Sequence, residues 1–212
     1  MGHRPIKLGK IGSFSFITYE ESYVRIRNFA SGLRSIGVEP NQHVGLYSKN
    51  RIEWQLASEA CHTQSMVTIA LYDTLGEDAS LHILNHGEIT CLCISFEEFI
   101  KIKHIADKCI YLKNLIVFEE LTDQIKLDCD NLNLNVFSFS EIEPRSQNLM
   151  FNDVIPTPDT LATIMYTSGT TGTPKGVMLT HENLIAARSG VSLTILPVSP
   201  DDVLISYLPL AH

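Results

Sequence analysis

No run of lysine or arginine, no apolar stretch long enough to span a bilayer and no Cys-x-x-Cys pair occurs in this 212-residue sequence. Each absence removes a class of function. Lys plus Arg total 16 against 24 Asp plus Glu, a net charge of −8, so the basic footprint of a nucleic-acid binder is missing. The same balance is wrong for a protein held on anionic lipid by charge alone. A transmembrane helix needs about 20 apolar residues, and none is present. The first residues, Met1 to Lys7, lack the apolar core of a signal peptide, and the last, Leu208 to His212, carry no peroxisomal or retention tripeptide. The five cysteines are Cys61, Cys91, Cys93, Cys109 and Cys129; an odd count without paired spacing argues against a disulfide framework and a structural zinc site. Reduced, buried thiols in a cytosolic compartment are expected.

Apolar residues make up 44% of the chain and charged ones 19%, enough for a real core in one large domain or two small ones. Thr18 and Glu21 have capping-box spacing, and Tyr23, Ile26, Phe29, Ala30 and Leu33 follow at helical steps toward Gly37. A short apolar run from His43 to Ser48 predicts a strand. Arg51 to Gln64 then predicts a helix with Trp54, Ala57, Ala60 and Cys61 on one face. Further strands are expected at Met66 to Leu71, Thr90 to Ile94, Leu115 to Phe118 and Val136 to Phe139. Helices are expected over Glu77 to His86, with a Thr74–Glu77 capping box, and over Phe96 to Lys108. Residues 119–135 and 140–160 are polar and read as surface connections. Leu161 to Thr167 and Gly176 to Thr180 predict an outgoing and a returning strand, Thr180 caps a helix to about Thr194, and Val203 to Tyr207 predicts a last strand. Continuous apolar runs alternating with helices indicate an α/β fold with a layered parallel sheet covered on both faces.

One segment carries chemistry: Tyr166-Thr167-Ser168-Gly169-Thr170-Thr171-Gly172-Thr173-Pro174-Lys175-Gly176. Glycines let backbone N–H groups approach an anion, hydroxyls donate to phosphate oxygens, and Lys175 supplies a mobile point charge. No acid lies in 160–181, so the loop is locally positive in an acidic chain. Polyphosphate binding follows. The order of residues differs from Gly-x-x-x-x-Gly-Lys-[Ser/Thr], so this is not a Walker P-loop. The plain alternative is a hairpin of turn formers, which eleven residues at this density disfavour.

Thr167 to Gly176, followed by Val177-Met178-Leu179-Thr180-His181, resembles the signature loop of the adenylate-forming enzymes: acyl-CoA synthetases, peptide-synthetase adenylation domains and luciferases. Val44 to Trp54 and Leu71-Tyr72-Asp73-Thr74-Leu75-Gly76 are similar to segments of the long-chain fatty acyl-CoA synthetase branch. Tyr207-Leu208-Pro209-Leu210-Ala211-His212 looks like the start of its next motif. Ala70 stands where that branch usually has proline, a neutral departure.

The resemblance implies the large N-terminal domain of an AMP-forming fatty acid–CoA ligase, truncated, with residues 1–17 an extension and 18–212 a partial AMP-binding domain. It assigns Thr167, Ser168, Gly169, Thr170, Thr171, Gly172, Thr173, Lys175 and Gly176 to the ATP phosphates, and His212 to the border of the acyl site, although a chain-terminal His212 is expected to be disordered. ATP, Mg²⁺ and coenzyme A are the implied cofactors and a long-chain fatty acid the implied substrate. No metal ligand is assigned within the chain. The resemblance also implies a longer protein. The adenine-binding segment, magnesium carboxylate and small lid domain would lie beyond His212, and a membrane anchor upstream. The whole protein is expected on the cytoplasmic face of the endoplasmic reticulum or another organelle, with this chain alone cytosolic and inactive. An amino-acid adenylating enzyme and a non-catalytic interaction fragment remain open alternatives. His82 and His86 stand four apart, a zinc-capable spacing without a third ligand, so packed or solvated histidines are expected. Cys91 and Cys93 are expected in the core, and Trp54 as a helix anchor.

Overall fold

The computed structural model describes residues 1–4, 6–7, 10–145, 151–167, 173–194, 199 and 201–211. Two small antiparallel pairs come first: β1 (Gly2–His3) with β4 (Ser15–Phe16), and β2 (Ile6–Lys7) with β3 (Lys10–Ile11). Then follow α1 (Tyr19–Ser35), β5 (His43–Tyr47), α2 (Ile52–Thr63), β6 (Val67–Leu71), α3 (Glu77–His86), β7 (Ile89–Ile94), α4 (Phe96–Lys103) and a 3₁₀ turn at Ala106–Lys108. After β8 (Asn114–Val117) come α5 (Asp123–Asn131), β9 (Asn135–Ser138), α6 (Phe139–Arg145), β10 (Leu161–Thr167), β11 (Lys175–Thr180) and α7 (His181–Thr194). Seven strands form one sheet in the order β11-β10-β6-β5-β7-β8-β9, parallel except for the antiparallel β10–β11 pair.

The continuous apolar runs are split by the alternation of side chains into two cores. Tyr47, Ile69, Leu71, Leu92 and Ile94 point to the layer of α3, α4 and α5, where Ile83, Phe99 and Ile125 meet them. Val44, Leu46, Ala70, Cys91 and Cys93 point to the opposite layer of α1, α2 and α6, against Phe29, Leu33, Trp54 and Leu56. Cys91 and Cys93 thus share a face, and all five cysteines are free and buried. Burial pushes the Cys109 and Cys129 thiols up to about 11 and raises that of Cys61 as well, so they are poor nucleophiles.

The Thr18–Glu21 capping box is present: Glu21 N donates to Thr18 Oγ1 at 3.1 Å, and Thr18 N donates to Glu21 Oε2 at 2.7 Å. Gly37 follows α1 with φ +85°, the left-handed conformation that ends a helix. Four expectations fail. Gly76, not Thr74, precedes α3, without a side-chain cap, and Glu77 Oε1 instead accepts from His104 Nδ1 at 2.9 Å. The helix from Phe96 stops at Lys103, and a separate 3₁₀ turn follows. The polar connections contain two short helices, α5 and α6, each anchored by very few apolar residues: Ile125 and Cys129 in one, Phe139 and Ile142 in the other. Val203 to Tyr207 is not a strand. Val203 and Ile205 are 79% and 82% exposed, and no described strand pairs with the segment. A strand without a ladder partner leaves its backbone groups to water.

Candidate functional site

Strands β5, β6 and β10 run parallel, so their carboxyl ends Tyr47, Leu71 and Thr167 lie on one edge of the sheet. From β5 the chain passes to β6 on one side and then to β7 on the other, and ligands of open α/β sheets bind where the order reverses in this way. A cavity of about 350 Å³ opens on that edge. Its lining is Ser48, Lys49 and Asn50 after β5, Tyr72 and Asp73 after β6, and part of the segment 206–211. Lys101 Nζ donates to Asp73 O at 2.6 Å and holds the second of these loops down.

The phosphate-loop candidate is the connection of the β10–β11 hairpin, whose last matched pair is Thr167 with Lys175. Directly cross-strand residues share a face, so Thr167 and Lys175 project together. Thr167, Thr173 and Lys175 are exposed, and among the described residues no carboxylate forms an ion pair with Lys175. The next pair is Tyr166 with Gly176 on the other face, where Tyr166 is buried. A Cβ at Gly176 would stand 2.7 Å from Ile164 Cγ2 and 3.4 Å from the Tyr166 ring, so this glycine makes room for Tyr166. Burial raises the Tyr166 hydroxyl above its ordinary value, which keeps it protonated. Ser168, Gly169, Thr170, Thr171, Gly172 and His212 lie outside the described residues.

Two features at this edge are not legible as spacing. Asn50 serves the segment 206–211 as a surrogate peptide group: Nδ2 donates to Leu208 O at 2.6 Å and to Ser206 O at 3.3 Å, while Oδ1 accepts from Leu210 N at 2.8 Å. Two motifs 160 residues apart are thereby joined by one side chain. Arg51 next to it bridges Glu53 and Glu119, and Glu119 Oε2 accepts from Phe96 N at 2.8 Å. Asn50→Ala should free the 206–211 segment, at a cost of about 1–2 kcal/mol for three lost hydrogen bonds, each near the low end of the usual range because all are exposed. Faster amide exchange at Leu210, with an unchanged rate at Leu46, is the expected result; equal exchange in both proteins would show that Asn50 does not hold the segment.

His181, at the end of the signature stretch, packs edge-on against His62 with ring centroids 5.2 Å apart. Its Nε2 and that of His62 are buried without a hydrogen-bond partner among the described residues. Burial, and then the charge of His62, lowers the His181 pKa below the ordinary 6.5. The His62 imidazole, with Nδ1 3.8 Å from Glu59 Oε2, holds the Glu59 carboxyl below its usual range. Well above pH 6.5 His181 is neutral both folded and unfolded, and contributes no pH dependence. Below it the unfolded chain takes up the proton first, so folding stability falls as pH drops. Thermal melting between pH 7.5 and 5.5 should therefore show a decline that His181→Gln reduces; identical slopes would refute the assignment.

The sequence of this chain matches the model of the family described as AMP-binding enzyme over residues 6–212. The chain belongs to the AMP-binding enzyme family. Among its relatives, "Fatty acyl-CoA synthetase A" of Dictyostelium discoideum is 37% identical over 206 residues, which is 96% of this chain and 30% of that protein. "Long chain acyl-CoA synthetase 8" of Arabidopsis thaliana is 35% identical over 95% of this chain and 28% of its own length. Thus the chain spans about a third of the length of the curated relatives it matches. A crystal structure of a long-chain-fatty-acid-CoA ligase from Archaeoglobus fulgidus superimposes with a TM-score of 0.78 at 27% identity, covering 92% of this chain and 36% of that one. The A-PCP didomain of a carboxylic acid reductase from Segniliparus rugosus, in complex with AMP, gives a TM-score of 0.82 at 19% identity, covering 100% of this chain and 33% of that one, and shows the shared fold alone. The mixed α/β sheet of this chain is therefore the one that adenylate-forming domains use.

Proposed function

We propose that this chain is the part of a long-chain fatty acid–CoA ligase that holds the ATP phosphates. The single observation that carries the reading is the β10–β11 hairpin, which presents Lys175 exposed and without a described ion-pair partner at the carboxyl edge of the parallel sheet. The relatives' names supply the substrate class. In the reaction, a fatty-acid carboxylate oxygen attacks the α-phosphorus of ATP. The bond to the bridging oxygen breaks, and pyrophosphate leaves with that electron pair. The thiol of coenzyme A then attacks the acyl carbon, loses its proton and expels AMP. Lys175 and the hydroxyls and backbone N–H groups of 167–176 meet the charge that grows on the leaving pyrophosphate, an effect of electrostatics and positioning rather than proton transfer. Thr167, Thr173, Lys175 and Gly176 are the described members of this set.

Among the described residues no cluster of three or more His, Cys, Asp or Glu side chains is placed to hold a metal. No described helix is long and apolar enough to cross a membrane. Placement of the whole protein on the cytoplasmic face of an organelle membrane, with residues 1–17 as an extension before the AMP-binding domain, rests on resemblance.

The test is exchange of labelled pyrophosphate into ATP by the full-length protein. Exchange that requires palmitate is the expected result. Exchange that requires an amino acid instead, or none with any carboxylate, would overturn the reading.

A further inference from the structure

We propose that His82 and His86 of α3 are positioning residues that latch both stems of the phosphate loop; the proposal rests on the reading of 167–176 given above. The four-residue spacing places the two imidazoles one above the other, with ring centroids 5.1 Å apart and planes 17° apart. His86 Nδ1 lies 2.6 Å from the Tyr166 hydroxyl, on the strand that enters the loop. His82 Nε2 lies 3.1 Å from the Pro174 carbonyl oxygen, on the segment that leaves it. Both rings also meet the Tyr166 ring edge-on, at 6.4 and 5.8 Å between centroids. One helix therefore grips the residue before Thr167 and the residue before Lys175.

The chemistry of the partners determines what each contact can be. A carbonyl only accepts, so His82 Nε2 carries the hydrogen and donates it. Pro174 has no N–H, which leaves that carbonyl as its one backbone polar group. Tyr166 and His86 share one hydrogen between them, and the pair holds whichever atom donates. Gly87, which ends α3, leaves the room for this arrangement: a Cβ there would stand 3.4 Å from the Tyr166 hydroxyl and 2.7 Å from Ile83 O. The nitrogens that face the stems are thus engaged by the stems. The zinc-capable spacing serves a hairpin, and no third metal-ligating side chain joins the two among the described residues. Since Pro174 directly precedes Lys175, fixing its carbonyl fixes where the lysine starts, and the Thr167–Lys175 pair is the last of the ladder and the first to fray.

Amide hydrogen exchange on this chain tests the latch, and the phosphorus line width of inorganic pyrophosphate, which reports weak binding, tests its purpose. His82→Phe keeps a stacked ring and removes the donor; His82→Gln keeps a donor near the Nε2 position. His82→Phe should speed exchange at Thr167, Lys175 and Gly176 by about two- to tenfold, the range for one lost hydrogen bond, and weaken pyrophosphate binding in proportion. His82→Gln should restore both. Should His82→Phe fail to fold, His82→Asn, too short to reach the carbonyl, takes its place. Unchanged stem exchange overturns the latch, and altered exchange with unchanged pyrophosphate affinity overturns its role in positioning. A wild-type chain with no effect on the phosphorus signal overturns the phosphate reading itself, a result separate from the exchange data.

Discussion

Lys175→Met should weaken binding of the ATP phosphates by about ten- to hundredfold, the equivalent of roughly 1.5–3 kcal/mol for one charge-assisted contact. No acidic residue occurs from 160 to 181, and Lys175 is exposed beside Thr167 at the mouth of the hairpin. Its charge is therefore available to a ligand, and its removal leaves the fold intact. The KM for ATP in the full-length protein should rise and the adenylation rate should fall, because the leaving pyrophosphate carries more charge than the ground state. Fatty-acid affinity should not change. Lys175→Arg should fall between the two, since it keeps charge but changes its geometry. Wild-type ATP kinetics in Lys175→Met, or a loss confined to fatty-acid affinity, would remove the loop from the phosphate site.

Gly32→Val should destabilise the chain by about 3 kcal/mol, at the upper end of overpacking, and lower the melting temperature by about 6–12 °C. Helix α1 crosses α6 at Gly32, where a Cβ would stand 2.5 Å from Ile142 Cγ2 and closer still to the Ile142 carbonyl oxygen. A side-chain methyl can rotate away; a backbone oxygen cannot, so the two helices must separate and open the core around Phe29 and Phe139, whose rings stack 4.3 Å apart. Gly190 in α7 is the control. A Cβ there meets nothing within 4 Å, so Gly190→Ala should raise stability by about 0.5–1 kcal/mol through helix propensity. Melting of the two variants beside the parent decides it. Equal melting of Gly32→Val and the parent would show that α6 does not pack on α1 in this way.

Helix α1 was legible from its own start signal and a repeated apolar face. Thr18 and Glu21 cap α1 reciprocally, and Phe29, Ala30 and Leu33 recur on its buried side. The helices α5 and α6 have 9 and 7 residues and bury two apolar side chains each, Ile125 and Cys129 in one and Phe139 and Ile142 in the other, too few for a repeated apolar face to show. In α5, the Thr122 hydroxyl that accepts from Ile125 N was the available signal, outweighed by the acidic and amide residues around it. Thr74 shows the opposite error. Its spacing to Glu77 is that of a cap, but Gly76 stands at the cap position and Glu77 is drawn to His104, a partner 27 residues away that no local window contains.

By itself the amino-acid sequence determined the alternation of strands and helices, the covered parallel sheet, the family and the glycine–hydroxyl segment between the strands of the last hairpin, because each of these depends on residues close together in the chain. Apolar runs, caps and glycine–hydroxyl density are local quantities, read at fixed short spacings. Only the tertiary structure decided that Asn50 holds the 206–211 segment, that Gly176 makes room for Tyr166, and that His82 and His86 face Pro174 and Tyr166. Separations of 160 residues in the first case and 80 to 92 in the last carry no periodicity. The side chains meet because β5, β6 and β10 end on the same edge of one sheet and α3 packs beneath its hairpin, an outcome of strand order that exists only once the chain has folded.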